Sequence, residues 1–356
     1  MVRDDLFRRK REEKSKRAGR TTSRFQLTLD SNPSKRKFFC LVEDNQKLWA
    51  KMFPEIISDK DISIAPHTLK KKKLDNPNPL IMKGSDGEGG NNQGKFFIDD
   101  ILKEWDKKST NYAHGKSSCA CIVDGKVVEL AFKDRVFAIV DLDKPKIGSE
   151  GRFCGVGKRK IRTDPCDTES MFIQLDISKV LNDLGLKETD WVVINECAKK
   201  LTSVLPLLRD NELSYGFLSA RTYKCAKKLF KFFSMNSTFT EIMIDSEGLF
   251  DKVLNANKNR KGTRNFHDKK SVFIKRLELI PGDDVFGYNG HILAAILYFV
   301  KYQTGSYIPG KGKRWGDFHE HLTNIFMTMS PQFAKSEMAK DMKKWFLDRD
   351  ISNQES

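Results

Sequence analysis

Between Ser118 and Val300, short apolar runs of strand length alternate with stretches whose apolar residues recur at helical spacing. Such a chain folds most readily as an α/β layer structure, because each strand–helix–strand unit returns parallel to itself and lays its helix on the sheet. CACIVDGKVVELAF reads as a hairpin turning at Asp124-Gly125, and VFAIVDLD follows it as a buried strand. DWVVIN is a short strand or a helix start, and CAKKLTSVLPLLRD is helical. SYGFLSA has strand length, RTYKCAKKLFKFFSM is an amphipathic helix and FTEIMID is another strand. VFIKRLELIPGDD closes the series on two adjacent carboxylates. The expected architecture is a mainly parallel sheet flanked by helices, with its site beyond the carboxyl ends of the strands.

The rest of the 356 residues divides around that core, expected over 118–308. Residues 1–24 form a basic arm with few apolar residues. Residues 25–117 form an extension in which RKFFCLVED reads as a strand, and NQKLWAKMF and FIDDILKEWDKK as helices. Within it, NPNPLIMKGSDGEGGNNQGK reads as a long Gly/Asn/Pro-rich loop. Residues 309–356 read as two helices that pack across the sheet or face a partner.

The net charge of +16, from 64 Lys and Arg against 48 Asp and Glu, favours polyanionic partners. The arm suits nonspecific phosphate contacts, or equally an import or solubilising role. The charged start carries no secretory h-region, and the longest apolar run, Ile292–Val300, falls short of a bilayer span. An intracellular protein without a membrane segment is expected. Seven scattered cysteines do not read as a disulfide framework. Cys119 and Cys121 have the wrong spacing for a zinc knuckle, and His319 and His321 would point to different sides of a helix.

Four short elements carry the chemistry. IVDLD ends a strand on Asp141 and Asp143, and GFLSART ends one on the Ser219 hydroxyl. NKNRKGTRNFHDKK supplies lysines, and IPGDD ends on Asp283 and Asp284. Either acidic pair alone suits a solvated loop, and Ser219 alone suits a helix N-cap. Together they are complementary. Hard carboxylate oxygens suit magnesium, while a hydroxyl and an ammonium suit the remaining oxygens of a phosphoryl group. One aspartate can then attack phosphorus and a second, two residues on, can protonate the leaving oxygen.

In this order the elements resemble the haloacid dehalogenase (HAD) superfamily of aspartate-nucleophile phosphatases, over Arg135 to Val300. GFLSARTYKCAKKLFKFF is most similar to the second-motif strand and helix of its protein-type, magnesium-dependent branch. The resemblance implies a HAD-like Rossmannoid sheet, Mg2+ as cofactor, Asp141 as nucleophile and Asp143 as general acid/base. It implies Ser219 and Lys261 as phosphate-binding groups, with Lys269 or Lys270 as alternatives to the lysine. Asp141, Asp143, Asp283 and Asp284 would hold the metal.

Lys144 and Pro145 stand where the family has Gly and Thr or Val, and proline removes a backbone donor from the loop that should cup phosphate. The alternative is therefore a HAD-fold structural protein of weak or no activity. A metal-dependent nuclease would also use clustered acids, but gives no reason for Ser219 or the lysine.

The basic charge, the motifs and the long extra segments also resemble the HAD-like nucleocapsid-assembly proteins of baculoviruses and related insect nuclear DNA viruses. That resemblance implies a phosphoprotein substrate, capsid partners, and a place in the host nucleus or virion during genome packaging. Nucleic acid would be met nonspecifically through the basic arm.

Overall fold

The computed structural model describes residues 39–43, 45–57, 65–67, 93–110, 118–142, 152–154, 156–163, 166–214, 216–218, 220, 222–238, 240–279, 289–304 and 313–351, with residues 12, 16, 18–20, 22 and 23. The chain forms two compact units. Unit 1 comprises Met1–Asp141, Gly151–Thr163 and Met327–Ser356; unit 2 comprises Leu142–Glu150 and Asp164–Phe326. The division falls inside the stretch 118–308 expected as one core.

Unit 1 is an α/β layer structure. It contains β1 (Phe39–Val42), α1 (Gln46–Met52), β2 (Ala65–His67), α2 (Gln93–Thr110), β3 (Cys119–Val123), β4 (Lys126–Leu130), β5 (Val136–Val140), β6 (Phe153–Cys154) and β7 (Lys160–Arg162). The main sheet runs β2-β1-β5-β7-β6, parallel throughout except for the β6–β7 pair. FCLV and VFAIV are buried at every position, the continuous apolar pattern of parallel strands covered on both faces.

The two faces follow from strand alternation. Phe39 and Leu41 of β1 and Val136, Ala138 and Val140 of β5 point one way, onto Ile98, Ile101, Leu102 and Trp105 of α2. Those helix positions follow the i, i+3, i+4, i+7 spacing of a single apolar stripe. Phe137 points the other way, its ring 5.6 Å from Phe53, 5.8 Å from Trp345 and 5.5 Å from Phe346. Arg159 is buried beside β7; it donates to Lys133 O at 2.6 Å and Leu102 O at 3.3 Å and pairs with Asp106. Burial pulls this guanidinium below its ordinary range, and the Asp106 carboxylate opposes the shift. The β3–β4 hairpin turns at Asp124 and Gly125, both at positive φ, which suits a two-residue turn.

Unit 2 is helical apart from one small hairpin among the described residues. It holds α3 (Thr168–Leu175), α4 (Ile177–Leu184), α5 (Glu188–Asp210), α6 (Tyr223–Leu229), β8 (Phe233–Met235), β9 (Ile242–Ile244), α7 (Ser246–Asn257), α8 (Thr263–His267), α9 (Lys270–Glu278), α10 (Gly290–Thr304) and α11 (Lys313–Met327). The run Ile292–Val300 lies in α10 and is buried all round, so that helix forms the centre of the unit. Phe172 of α3 stacks on Phe326 of α11 at 5.4 Å. The chain then rejoins unit 1 as α12 (Ser330–Lys335) and α13 (Glu337–Leu347), so the expected pair of C-terminal helices is three.

DWVVIN takes the helical one of its two expected forms, in the first turns of α5. Several expected sheet strands take other forms: SYGFLSA forms turns over residues 216–218, with Ala220 at positive φ. Among the described residues Phe217 and Leu218 are its large apolar side chains, too few to cover two sheet faces. FTEIMID supplies β9, which pairs antiparallel with β8 rather than joining the main sheet. Its partner lies only seven residues upstream, and Asn236 Oδ1 closes the turn on Thr240 N and Glu241 N at 2.8 and 3.2 Å. Short-range closure costs less chain entropy than a crossover. VFIKRLE lies in α9, with Phe273 and Leu277 buried at i, i+4.

Candidate functional site

Because β1, β5 and β7 run parallel, their carboxyl ends share one edge of the sheet, where open α/β sheets bind ligands. The first residues beyond those ends are Glu43, Asp141 and Thr163. Two of them continue the ladder by one bond: Glu43 N donates to Ile139 O at 3.2 Å and Thr163 N to Val140 O at 3.0 Å. Their side chains converge as well. Thr163 Oγ1 donates to Asp141 Oδ1 at 3.2 Å, and Asp141 N donates to Glu43 Oε2 at 3.3 Å. Thr163 is fully buried, Asp141 is 8% exposed and Glu43 is half-buried. At the tips of three neighbouring strands, the Thr163 hydroxyl thus meets the Asp141 carboxylate and the Glu43 carboxylate meets the Asp141 backbone, and all three side chains carry hard oxygen donors.

Of the expected site residues, Asp141 sits at this edge in unit 1. Lys261 is exposed in the turn between α7 and α8, in unit 2, while Lys270 pairs with Glu247 at 3.1 Å. Asp143, Ser219, Asp283 and Asp284 lie outside the described residues, as does the loop carrying Lys144 and Pro145. Glu43 and Thr163 were not expected at the site. Glu43 carried a signal, since RKFFCLVED is an apolar strand ending on an acidic pair, as IPGDD was read to be. Thr163 follows the short polar strand KIR and carried none.

A second acidic group lies in unit 2, where ligand atoms of Asp167, Glu169 and His291 fall within 4.8 Å of one another. Its geometry is that of a helix clamp. Asp167 caps α3, its Oδ1 accepting Ser170 N at 2.9 Å. The same carboxylate accepts the Gly290 N–H that opens α10, at 2.9 Å to Oδ2 and 3.1 Å to Oδ1. Two helix N-termini, both partially positive, are therefore aimed at one anion. That environment stabilises the carboxylate and disfavours a cation beside it.

His319 of α11 packs 4.5 Å from the Trp315 ring, and its Nε2 is buried with no hydrogen-bond partner among the described residues. Burial pushes it down to about 4, and the nearby His291 adds to the effect. An unfolded chain holds histidine near about 6.5. Between those values the unfolded state binds more protons, so stability falls as the pH drops through this window and levels off below it. The expected loss from pH 7 to 4 is of order 2 kcal/mol. Chemical denaturation across that range checks it, and His319→Gln should remove this part of the slope.

No helix among the described residues is long and apolar enough to cross a membrane. No protein-family model matches the chain, and no curated protein matches it.

Proposed function

We propose that the chain is a magnesium-dependent phosphatase in which Asp141 is the nucleophile. The observation that carries this reading is the meeting of Asp141, Glu43 and Thr163 at the carboxyl edge of a parallel sheet, with Asp141 on its central strand β5. Asp141 would attack phosphorus through a carboxylate oxygen, forming an aspartyl phosphate that water then hydrolyses. The Thr163 hydroxyl holds Oδ1, which fixes the orientation of the carboxylate about its Cβ–Cγ bond. Asp143, two residues on, is the proposed acid/base, and Ser219 and Lys261 the proposed phosphate ligands, as in the HAD resemblance. The donor set fits magnesium, with Asp141 and Glu43 as protein ligands and Asp283 and Asp284 as the further acids proposed. When bound, the ion would offset the negative charge of the phosphoryl group facing an anionic nucleophile.

The substrate proposed is a phosphoprotein within a nucleocapsid-assembly setting, with capsid proteins as partners. A structural role without catalysis is the second reading, favoured by the burial of Asp141 and Thr163. Hydrolysis of an aryl phosphate with and without magnesium, in the parent and in Asp141→Asn, separates the two. Equal background rates in all four samples would leave the scaffold.

A further inference from the structure

Unit 2 carries a pocket of about 290 Å³ lined by Ser214, Gly216, Phe217, Lys228, Lys252 and Asn255, together with Ala256. Among the described residues, no acidic side chain lines it. Lys228 comes from α6 and Lys252 from α7, and neither ammonium has a carboxylate partner among the described residues. Ser214, Asn255 and the Gly216 backbone add neutral polar groups, so the lining suits an anion.

The wall of this pocket is built rather than incidental. Asn257 is buried, and its amide grips Ser214 from both sides: Oδ1 accepts Ser214 N at 2.7 Å and Nδ2 donates to Ser214 O at 3.0 Å. Arg260 Nη1 donates to Glu212 O at 3.1 Å. Gly262 lies so close to the same loop that an added Cβ would stand 1.8 Å from Asn211 O. The loop 211–214 is thus pinned to α7 and the turn after it, which fixes the pocket before any ligand arrives.

The charge extends past the pocket. Lys224, Lys228 and Lys231 are exposed at i, i+4 and i+7, a single row along α6 and the turn that follows it. Between Arg221 and Arg264 the chain has ten Lys and Arg against four acids. Three of those acids are engaged: Glu241 lies 4.0 Å from Lys200, Asp245 caps α7, and Glu247 pairs with Lys270. The pocket suits a single phosphate group, whereas the lysine row calls for several spaced anions.

We propose that this pocket and its lysine row bind the phosphate backbone of nucleic acid, without reading base sequence. A backbone supplies phosphates at regular spacing, and each one neutralised releases counterions. A singly phosphorylated peptide would satisfy the pocket and leave the row unused. The inference does not depend on chemistry at Asp141, and it is read by binding rather than by hydrolysis.

The test is fluorescence anisotropy of the full chain with labelled duplex DNA over a salt series, for the parent, Lys228→Gln/Lys252→Gln and Lys228→Arg/Lys252→Arg. The Gln pair should bind at least about tenfold more weakly near physiological salt and lower the log–log salt slope by about 2. The Arg pair should bind as the parent does. Because the basic arm is common to all three, its contribution cancels in the difference. An affinity within twofold of the parent for the Gln pair would overturn the proposal. So would equal weakening in both pairs with unfolding midpoints at the parent's value, since positive charge at these positions would then not be what binds, or displacement of DNA by a singly phosphorylated acidic peptide at lower concentration than unlabelled duplex.

Discussion

Asp141→Asn is expected to lower magnesium-dependent hydrolysis of an aryl phosphate by at least about a thousandfold, since an amide is a poor nucleophile toward phosphorus. The change is nearly isosteric. Its side-chain oxygen can still accept the Thr163 hydroxyl, and its backbone N–H can still donate to Glu43 Oε2. The folded state should therefore change little, and an unfolding midpoint close to the parent's would assign the loss to chemistry. A rate within tenfold of the parent would remove Asp141 from the reaction. A magnesium requirement that vanished together with activity would match the proposal, because the same substitution removes one of the two proposed carboxylate ligands at this edge.

The second large effect belongs to folding. Asp167→Ala should destabilise the chain by about 3 kcal/mol, because it leaves two buried N–H donors, those of Ser170 and Gly290, without their acceptor. It also withdraws the anion on which the N-termini of α3 and α10 converge. Gly290 gives an independent handle on the same junction. A Cβ there would stand 2.0 Å from Asp167 Oδ1 and 2.4 Å from Ser170 N, so Gly290→Ala cannot fit unless the two helix ends separate. Urea unfolding should show a lowered midpoint with an unchanged slope for both variants. A shift smaller than about 0.5 kcal/mol for Asp167→Ala would place it among ordinary surface substitutions and refute the clamp.

Local pattern announced the elements that make the sheet's centre. FCLV and VFAIV are continuous apolar runs, and such runs belong to strands buried on both faces. The stripe of α2 and the Asp124-Gly125 turn were equally plain. Pairing was not, because it depends on which distant segment covers which. β7 has a single buried apolar residue, Ile161, yet it lies beside the central strand with β6 guarding its edge. FTEIMID has strand character but pairs with its own neighbour, and VFIKRLEL has apolar residues that suit either a strand or a helix face. Trp345 and Phe346 reach the sheet from the far end of the chain, a contact that no local window contains.

At the candidate site Asp141 was legible because an apolar strand ended abruptly in acid. Glu43 shows the same signature, but it lies in the N-terminal extension, outside the alternating strand–helix region. Thr163 acts through register alone: it is the residue opposite Asp141 when β7 pairs with β5. No property of a threonine after KIR reports that position.

The most direct measurement of the central claim is a crystal structure of the chain with magnesium and fluoroberyllate, a mimic of the aspartyl phosphate. The proposal predicts beryllium bonded to a carboxylate oxygen of Asp141, with a magnesium ion held between Asp141 and Glu43. Fluoroberyllate bound elsewhere, or an Asp141 that keeps its bond to Thr163 Oγ1 and takes neither ion at saturating concentrations, would contradict it.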